Sequence, residues 1–257
     1  MVVDSESVTM ADRTEKVYVL YGSQTGNSEE RAKELCSQVA TQLSPKAIQK
    51  MTGTSDLITV EPVHMQLDDF LEIEKCAWTR LVVIVTSSYG VGQAPLGCYR
   101  FRDLCDAWCD SYRGQSNVKV LDGISFALCG LGDSKYTTYF QNPAKIDEAM
   151  QLVGAKRVGP LGKADASGTG NNEQLKVVEQ WIASIWPHLA AAVVAAPLSE
   201  ERLKESQMTT VELCRKINPE FEFDDGSSKR LAIPPALILA ILVAFAAVAL
   251  FYIYHHN

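Results

Sequence analysis

RLVVIVTSSYGVGQAP, Arg80 to Pro95, decides how this chain is read. Arg80–Thr86 is a continuous apolar run, the pattern of a strand buried on both faces in a parallel sheet. It breaks at Ser87 into a loop where Tyr89 stands among small residues and two glycines, Gly90 and Gly92. Gly90 permits peptide conformations closed to residues with a Cβ. The backbone of such a loop can reach the edge of a planar ligand while Tyr89 lies flat on its face.

The same alternation extends in both directions. Upstream, Lys16–Tyr21 (KVYVLY) reads as a short strand, followed by a loop, a helix over Ser28–Leu43 and a second strand over Ile58–Met65. Downstream come a helix over Cys98–Tyr112, a strand over Ile124–Gly130, a helix over Pro143–Val153, a strand over Arg157–Leu161 and a helix over Asn172–His188. Five strands interleaved with helices imply an α/β, doubly wound parallel sheet. Ligands of such sheets sit beyond the carboxyl ends of the strands. The loops that matter are therefore Gly22–Asn27, Ser87–Gly97, Leu131–Asn142 and Gly162–Asn171.

The first loop is rich in glycine and hydroxyls but holds no lysine or arginine. It lacks the Gly-Lys-Ser/Thr ending of a nucleoside-triphosphate loop and the G-x-G-x-x-G dinucleotide pattern. A phosphate monoester still suits it. The start of the following helix offers free backbone N–H groups and a positive dipole end, and Ser23, Thr25 and Ser28 add hydroxyls. The third loop supplies Tyr136, Tyr139 and Phe140 after another strand. Aromatics on two neighbouring loops make the stacking pair that an isoalloxazine ring needs.

Three motifs, each following a strand, carry a resemblance: SQTGNSE (Ser23–Glu29), SSYGVGQAP (Ser87–Pro95) and LGDSKYTTYFQN (Leu131–Asn142). Over roughly Lys16 to Leu189 the chain resembles flavodoxin-type FMN domains, in particular the FMN half of NADPH–cytochrome P-450 reductase and other diflavin reductases. The resemblance implies a flavodoxin-like five-stranded sheet of order 2-1-3-4-5 with helices on both faces, and FMN as cofactor. It implies that Ser23, Gln24, Thr25, Gly26, Asn27 and Ser28 surround the phosphate and that Tyr89 and Tyr136 sandwich the ring. Ser87, Ser88 and Gly90 line one side. Leu131, Gly132, Asp133, Ser134, Lys135, Thr137, Thr138, Tyr139 and Phe140 line the other. Asp165 matches an aspartate that approaches the flavin or ribityl region. The second loop departs from the acidic Gly-Glu-Gly-Asp-Pro of the family, because Val91, Gln93 and Ala94 leave it uncharged. Where the family has an acidic run after the fourth loop, this chain has the uncharged Ala166–Asn172 (ASGTGNN).

The 257 residues carry a net charge of −7, which argues against broad nucleic-acid binding, since nothing would neutralise phosphates in bulk. The seven cysteines form no C-x-x-C pair and make no zinc-like spacing with the four histidines. They read as reduced thiols of a reducing compartment. No nicotinamide-binding pattern and no hydrolytic triad stand out.

Ala236–Tyr254 (ALILAILVAFAAVALFYIY) is almost wholly apolar. At about 1.5 Å per residue it spans roughly 28 Å, close to the hydrocarbon thickness of a bilayer. Lys229 and Arg230 flank its near end and place the main domain in the cytosol. The expected organisation is a disordered segment over 1–15, the FMN domain over 16–189, a partly helical linker over 190–230, a transmembrane tail anchor over 231–254 and a short tail over 255–257. Helix formation is expected within the linker over Ser199–Ile217. Such a chain would sit in the endoplasmic reticulum or the mitochondrial outer membrane. It would relay single electrons from a separate NAD(P)H-dependent flavoprotein reductase to a membrane haem or iron protein. The alternatives are a flavin-dependent oxidoreductase subunit, such as a quinone reductase or part of a split reductase, and a flavin-free interaction module.

Overall fold

The computed structural model describes residues 12–72, 78–195 and 198–217. Strand β1 (Asp12–Gly22) leads into helices α1 (Asn27–Gln42) and α2 (Pro45–Thr52), then strand β2 (Leu57–Gln66) and the short helix α3 (Leu67–Phe70). Next come β3 (Leu81–Ser87), α4 (Tyr99–Tyr112), β4 (Ser125–Gly132) and α5 (Gln141–Leu152). Two short strands, β5 (Lys156–Arg157) and β6 (Gly162–Asp165), precede α6 (Gln174–Val194) and α7 (Glu200–Ile217). The strands are parallel in the order β2-β1-β3-β4-β5, with β6 also paired to β4. This is the order the resemblance implies.

The period-two side-chain pattern sorts the sheet's residues between two apolar layers. Val17, Val19, Leu81, Val83 and Val85 point into the layer beneath α1 and α6, with Leu35, Val39, Trp181 and Ile185. Tyr18, Leu20, Val82 and Ile84 point into the other, with Phe101, Leu104 and Trp108 of α4 and Ile146 and Met150 of α5. Both faces of the central strands are therefore dry, which is why β3 reads as an unbroken apolar run.

Several boundaries differ from expectation, each for a physical reason. Strand β1 begins at Asp12 rather than Lys16, so residues 12–15 are paired strand and not part of a disordered terminus. Glu15 receives the buried Arg80 guanidinium at 3.0 Å and Arg13 at 3.2 Å. Both arginines also donate to the carbonyl of Val193, at 3.0 and 2.6 Å. These cations satisfy a carbonyl of the last helical turn, and α6 runs through to Val194 instead of ending at His188. Ala190, Ala192 and Val193, expected in the linker, are buried core residues.

The expected strand Arg157–Leu161 is broken in two. Gly159 takes a left-handed backbone (φ 69°) and Pro160 has no N–H for the ladder, so pairing resumes only at Gly162. Pro160 instead accepts the indole N–H of Trp181 at 2.8 Å through its carbonyl. Among the described residues, α6 is the one helix long and apolar enough to cross a bilayer; its buried face under the sheet accounts for that apolarity. The expected span Ala236–Tyr254 lies outside the described residues.

Helix α7 covers the range Ser199–Ile217 within one residue, but it is docked rather than loosely tethered. Ser206, Gln207, Thr210, Val211 and Cys214 are buried. Thr210 Oγ1 accepts the buried Trp78 indole N–H at 3.0 Å, and Ser206 Oγ donates to the Val120 carbonyl at 2.7 Å. Replacing Thr210 by Val keeps the volume but leaves the indole donor without an acceptor. Urea unfolding of that variant is expected to show a loss of about 1–3 kcal/mol; an unchanged midpoint would mean that α7 does not hold this position.

Candidate functional site at the carboxyl ends of the strands

Strand register sets the site. Gly22 of β1 stands opposite Thr86 of β3, and Ser87 stands opposite Leu131 of β4, so three loops leave the sheet side by side. The first loop lies close against the second. A Cβ on Gly22 would fall 2.5 Å from Cys98 Cβ and 2.9 Å from Thr86 Oγ1, so only glycine fits there. Ser23 N–H donates to the Leu96 carbonyl at 3.0 Å, and the Gln24 side-chain carbonyl accepts from Leu96 N–H at 3.3 Å.

The second loop turns tightly on itself. Tyr89 N–H donates to the Gln93 carbonyl at 3.0 Å, and Gln93 N–H returns to the Tyr89 carbonyl at 2.8 Å. Left-handed backbone at Gly90 (φ 54°) and Gly92 (φ 87°) makes the turn possible. The third loop is joined to it, with Thr138 Oγ1 donating to the Gly90 carbonyl at 3.2 Å.

Between the loops lies a cleft of about 360 Å³, within the size range of cofactor sites. From the first loop it gathers Ser23, Gln24, Thr25, Asn27 and Ser28, and from the second Ser87, Ser88, Tyr89 and Gly90. Leu131, Gly132, Asp133, Tyr136, Thr138 and Tyr139 close it on the third side. Tyr89 and Tyr136 are 48% and 63% exposed, large aromatic surfaces left open at the rim. At the other end the Ser28 hydroxyl is buried and without a hydrogen-bond partner.

The electrostatics of that end favour an anion despite two nearby carboxylates. Helix α1 makes its first intrahelical bond at Glu30 N–H, at 2.9 Å to the Gly26 carbonyl, so the preceding N–H groups remain available. Glu29 and Glu30 occupy the first turn, but Glu29 pairs with Lys33 at 2.7 Å and Glu30 with Arg31 at 2.9 Å. The hydrogen bond from Lys33 lowers the Glu29 pKa, so the pair stays charged and mutually neutralised.

The family model for flavodoxin matches residues 19–181. The chain belongs to the flavodoxin family. FMN is the cofactor of flavodoxins and of their relatives, and it is the cofactor of this domain. A bifunctional cytochrome P450/NADPH–P450 reductase of Bacillus cereus is 32% identical over 196 residues, covering 76% of this chain and 15% of that protein. A methionine synthase reductase of Caenorhabditis elegans is 29% identical over 226 residues, covering 84% of this chain and 29% of that protein. A mitochondrial pyruvate dehydrogenase [NADP(+)] of Euglena gracilis is 30% identical over 179 residues, covering 67% and 8%. The chain thus spans less than a third of each of these relatives.

Six expected flavodoxin-site residues do not line the cleft: Gly26, Ser134, Lys135, Thr137, Phe140 and Asp165. Gly26 instead supplies the left-handed turn (φ 90°) that starts α1. Phe140 is buried against Gly130, whose Cα it approaches too closely for any side chain there. Asp165 is used as a brace. Its Oδ1 accepts the N–H groups of Ser134 and Ser167, both at 2.9 Å, fixing the third loop to the fourth. Ala166 and Gln174 join the lining. Gln174 reaches the carbonyls of Gly132 and Ala164 at 3.1 and 3.2 Å. Its place in the first turn of α6, directly after the fourth loop, is the signal that would have found it.

The two aspartates also set an acid limit on this brace. Hydrogen bonds from the Ser167 side chain and the Lys135 N–H hold the Asp133 carboxyl below the usual carboxylate range. Burial raises that of Asp165, but the bonds from Ser134 and Ser167 outweigh it and the net direction is down. Depressed carboxylates stabilise the fold above their unfolded pKa, and that gain disappears as pH falls through the folded value. Urea midpoints of wild type should therefore drop between about pH 4 and pH 2 by more than those of the Asp133→Asn/Asp165→Asn variant. Equal acid sensitivity would contradict the brace. Both groups are partly open to solvent, so the difference is small.

Proposed function

We propose that this chain is a membrane-held electron carrier that accepts electrons from a separate NAD(P)H-dependent flavoprotein reductase and delivers them singly to a membrane-associated haem or iron protein. The observation that supports it most is the cleft itself: a buried, unpartnered hydroxyl and free N–H groups at one end, open tyrosine faces at the other, and no lysine or arginine in the lining.

FMN supplies the redox chemistry when bound. The chain supplies position. The Ser28 hydroxyl, with Ser23, Thr25 and the free N–H groups at the start of α1, would hold the phosphate without any lysine or arginine. Tyr89 and Tyr136 would cover the ring faces and exclude water from them. Ser87, Ser88 and Gly90 on one loop and Leu131, Gly132 and Thr138 on the other would face the ring edge. The Gly90 carbonyl already carries the Thr138 hydroxyl, which fixes its direction.

Relatedness to reductases and to a P450–reductase fusion supports electron transfer as the class of activity. The uncharged second loop, with Val91 76% exposed, favours a partner surface that needs little charge complementarity. Attachment to a bilayer rests on the apolar run at 236–254 and its Lys229–Arg230 flank, which also orient the domain to the cytosol. The endoplasmic reticulum is the membrane we favour over the mitochondrial outer membrane.

The test is reduction of the FMN-loaded, detergent-solubilised full chain, followed by visible absorbance. NADPH alone should leave the flavin band in place, and NADPH with a catalytic amount of a diflavin reductase should bleach it. Steady-state turnover of NADPH by the chain alone would instead favour an oxidoreductase subunit. Protein that stays colourless after FMN addition would favour an interaction module.

A further inference from the structure

We propose that Asn142 is a positioning residue for the FMN site, setting the mutual placement of the three loops through its buried amide; this rests on the cofactor reading above. Asn142 lies in the first turn of α5, has no exposed surface and does not line the cleft. Its side-chain N–H groups donate to the Ser87 carbonyl at 3.0 Å and reach Thr86 Oγ1 at 3.4 Å and Cys98 Sγ at 3.7 Å. Its Oδ1 accepts from Arg102 at 3.3 Å, and its backbone N–H donates to Ser88 Oγ at 3.0 Å.

The amide can point only one way, because the reversed orientation would set its oxygen against the Ser87 carbonyl and its N–H groups against a guanidinium. Thr86 Oγ1 in turn donates to the Gly22 carbonyl at 3.3 Å. A relay therefore runs from the end of the third loop, through Asn142, to both sides of the second loop and on to the root of the first. Every member is buried or half-buried, so a donor or acceptor left unpaired there is costly. Packing alone would need only the volume of Asn142. The relay needs its two donors.

An isosteric carboxyl separates these roles. In Asn142→Asp the protonated acid retains one O–H for the Ser87 carbonyl, whereas the ionised form turns a charged acceptor on that carbonyl. The groups facing it are the Arg102 guanidinium, itself paired with Asp106 at 3.0 Å, and the Cys98 thiol, which burial pushes up to about 12 and which stays protonated. FMN dissociation constants would be measured by fluorescence quenching from pH 5 to 8, as the ratio of variant to wild type, so that titration of the FMN phosphate cancels.

The ratio for Asn142→Asp should climb with pH, reaching on the order of tenfold to a hundredfold at pH 8. Thr86→Val, which removes the hydroxyl linking Asn142 to the Gly22 carbonyl but leaves the Asn142–Ser87 bond in place, should weaken binding several-fold at every pH and keeps the relay testable if Asn142→Asp unfolds at high pH. A flat ratio for Asn142→Asp, or wild-type affinity in Thr86→Val, overturns the assignment. Wild-type protein that leaves FMN free at every pH overturns the cofactor reading itself, and this inference with it.

Discussion

Burial of both faces of β1, β3 and β4 is the constraint on which the rest of the structure depends. A strand with one wet face can slip by two residues at modest cost. A strand dry on both faces has no register in which its apolar residues are exposed cheaply, and a slip by one would exchange the two layers entirely. Val82 and Ile84 face Phe101 and Trp108, while Val83 and Val85 face the helices of the opposite layer. Register is thereby fixed, and with it the height at which Gly22, Ser87 and Gly132 leave the sheet. The cleft is the space left between chain segments whose starting points cannot move.

Holding an anion in that space takes no cation from the loops. The carboxylates in the first turn of α1 are paired, Glu29 with Lys33 and Glu30 with an Arg31 that also holds Glu34, and the donors that remain are backbone N–H groups and hydroxyls. Backbone donors of this kind are positioned by the start of the helix itself. The polar links among the loops follow the same logic. Asn142, Thr138, Gln174 and Asp165 each carry a hydrogen-bonding group from one loop to the backbone of another. The carbonyls of Ser87, Gly90 and Gly132 are thereby satisfied by neighbouring segments of the chain.

How far the sequence disclosed this depends on whether a residue's signal is local. The run Arg80–Thr86 and the loop glycines announce themselves, because continuous apolarity and positive φ are properties of a few adjacent residues. The five interleaved strands follow from them, while the strand order and most of the cleft lining follow from the resemblance that the three loop motifs carry. Tertiary pairings leave no such mark. The start of β1 and the end of α6 are set by Arg80 and Arg13, which bring segments about 180 residues apart onto one glutamate and one carbonyl. A lone arginine ahead of a strand gives no hint of that. The docking of α7 through Trp78 and Thr210 is likewise invisible along the chain. Asp165 reads as a ligand-facing acid by position, yet two backbone donors claim its carboxylate. Phe140 counts as a third aromatic for the site until the small volume at Gly130 takes it inward.

The central claim is that neutral donors at the start of α1 grip a phosphate while tyrosines cover a ring. Side-by-side fluorescence titrations of the full chain in detergent with FMN and with riboflavin, which differ only in the phosphate, test it most directly. The account predicts one FMN per chain and riboflavin weaker on the order of a hundredfold or more, the loss of two charge-assisted hydrogen bonds. Equal affinities for the two flavins, or no quenching by either, would contradict it.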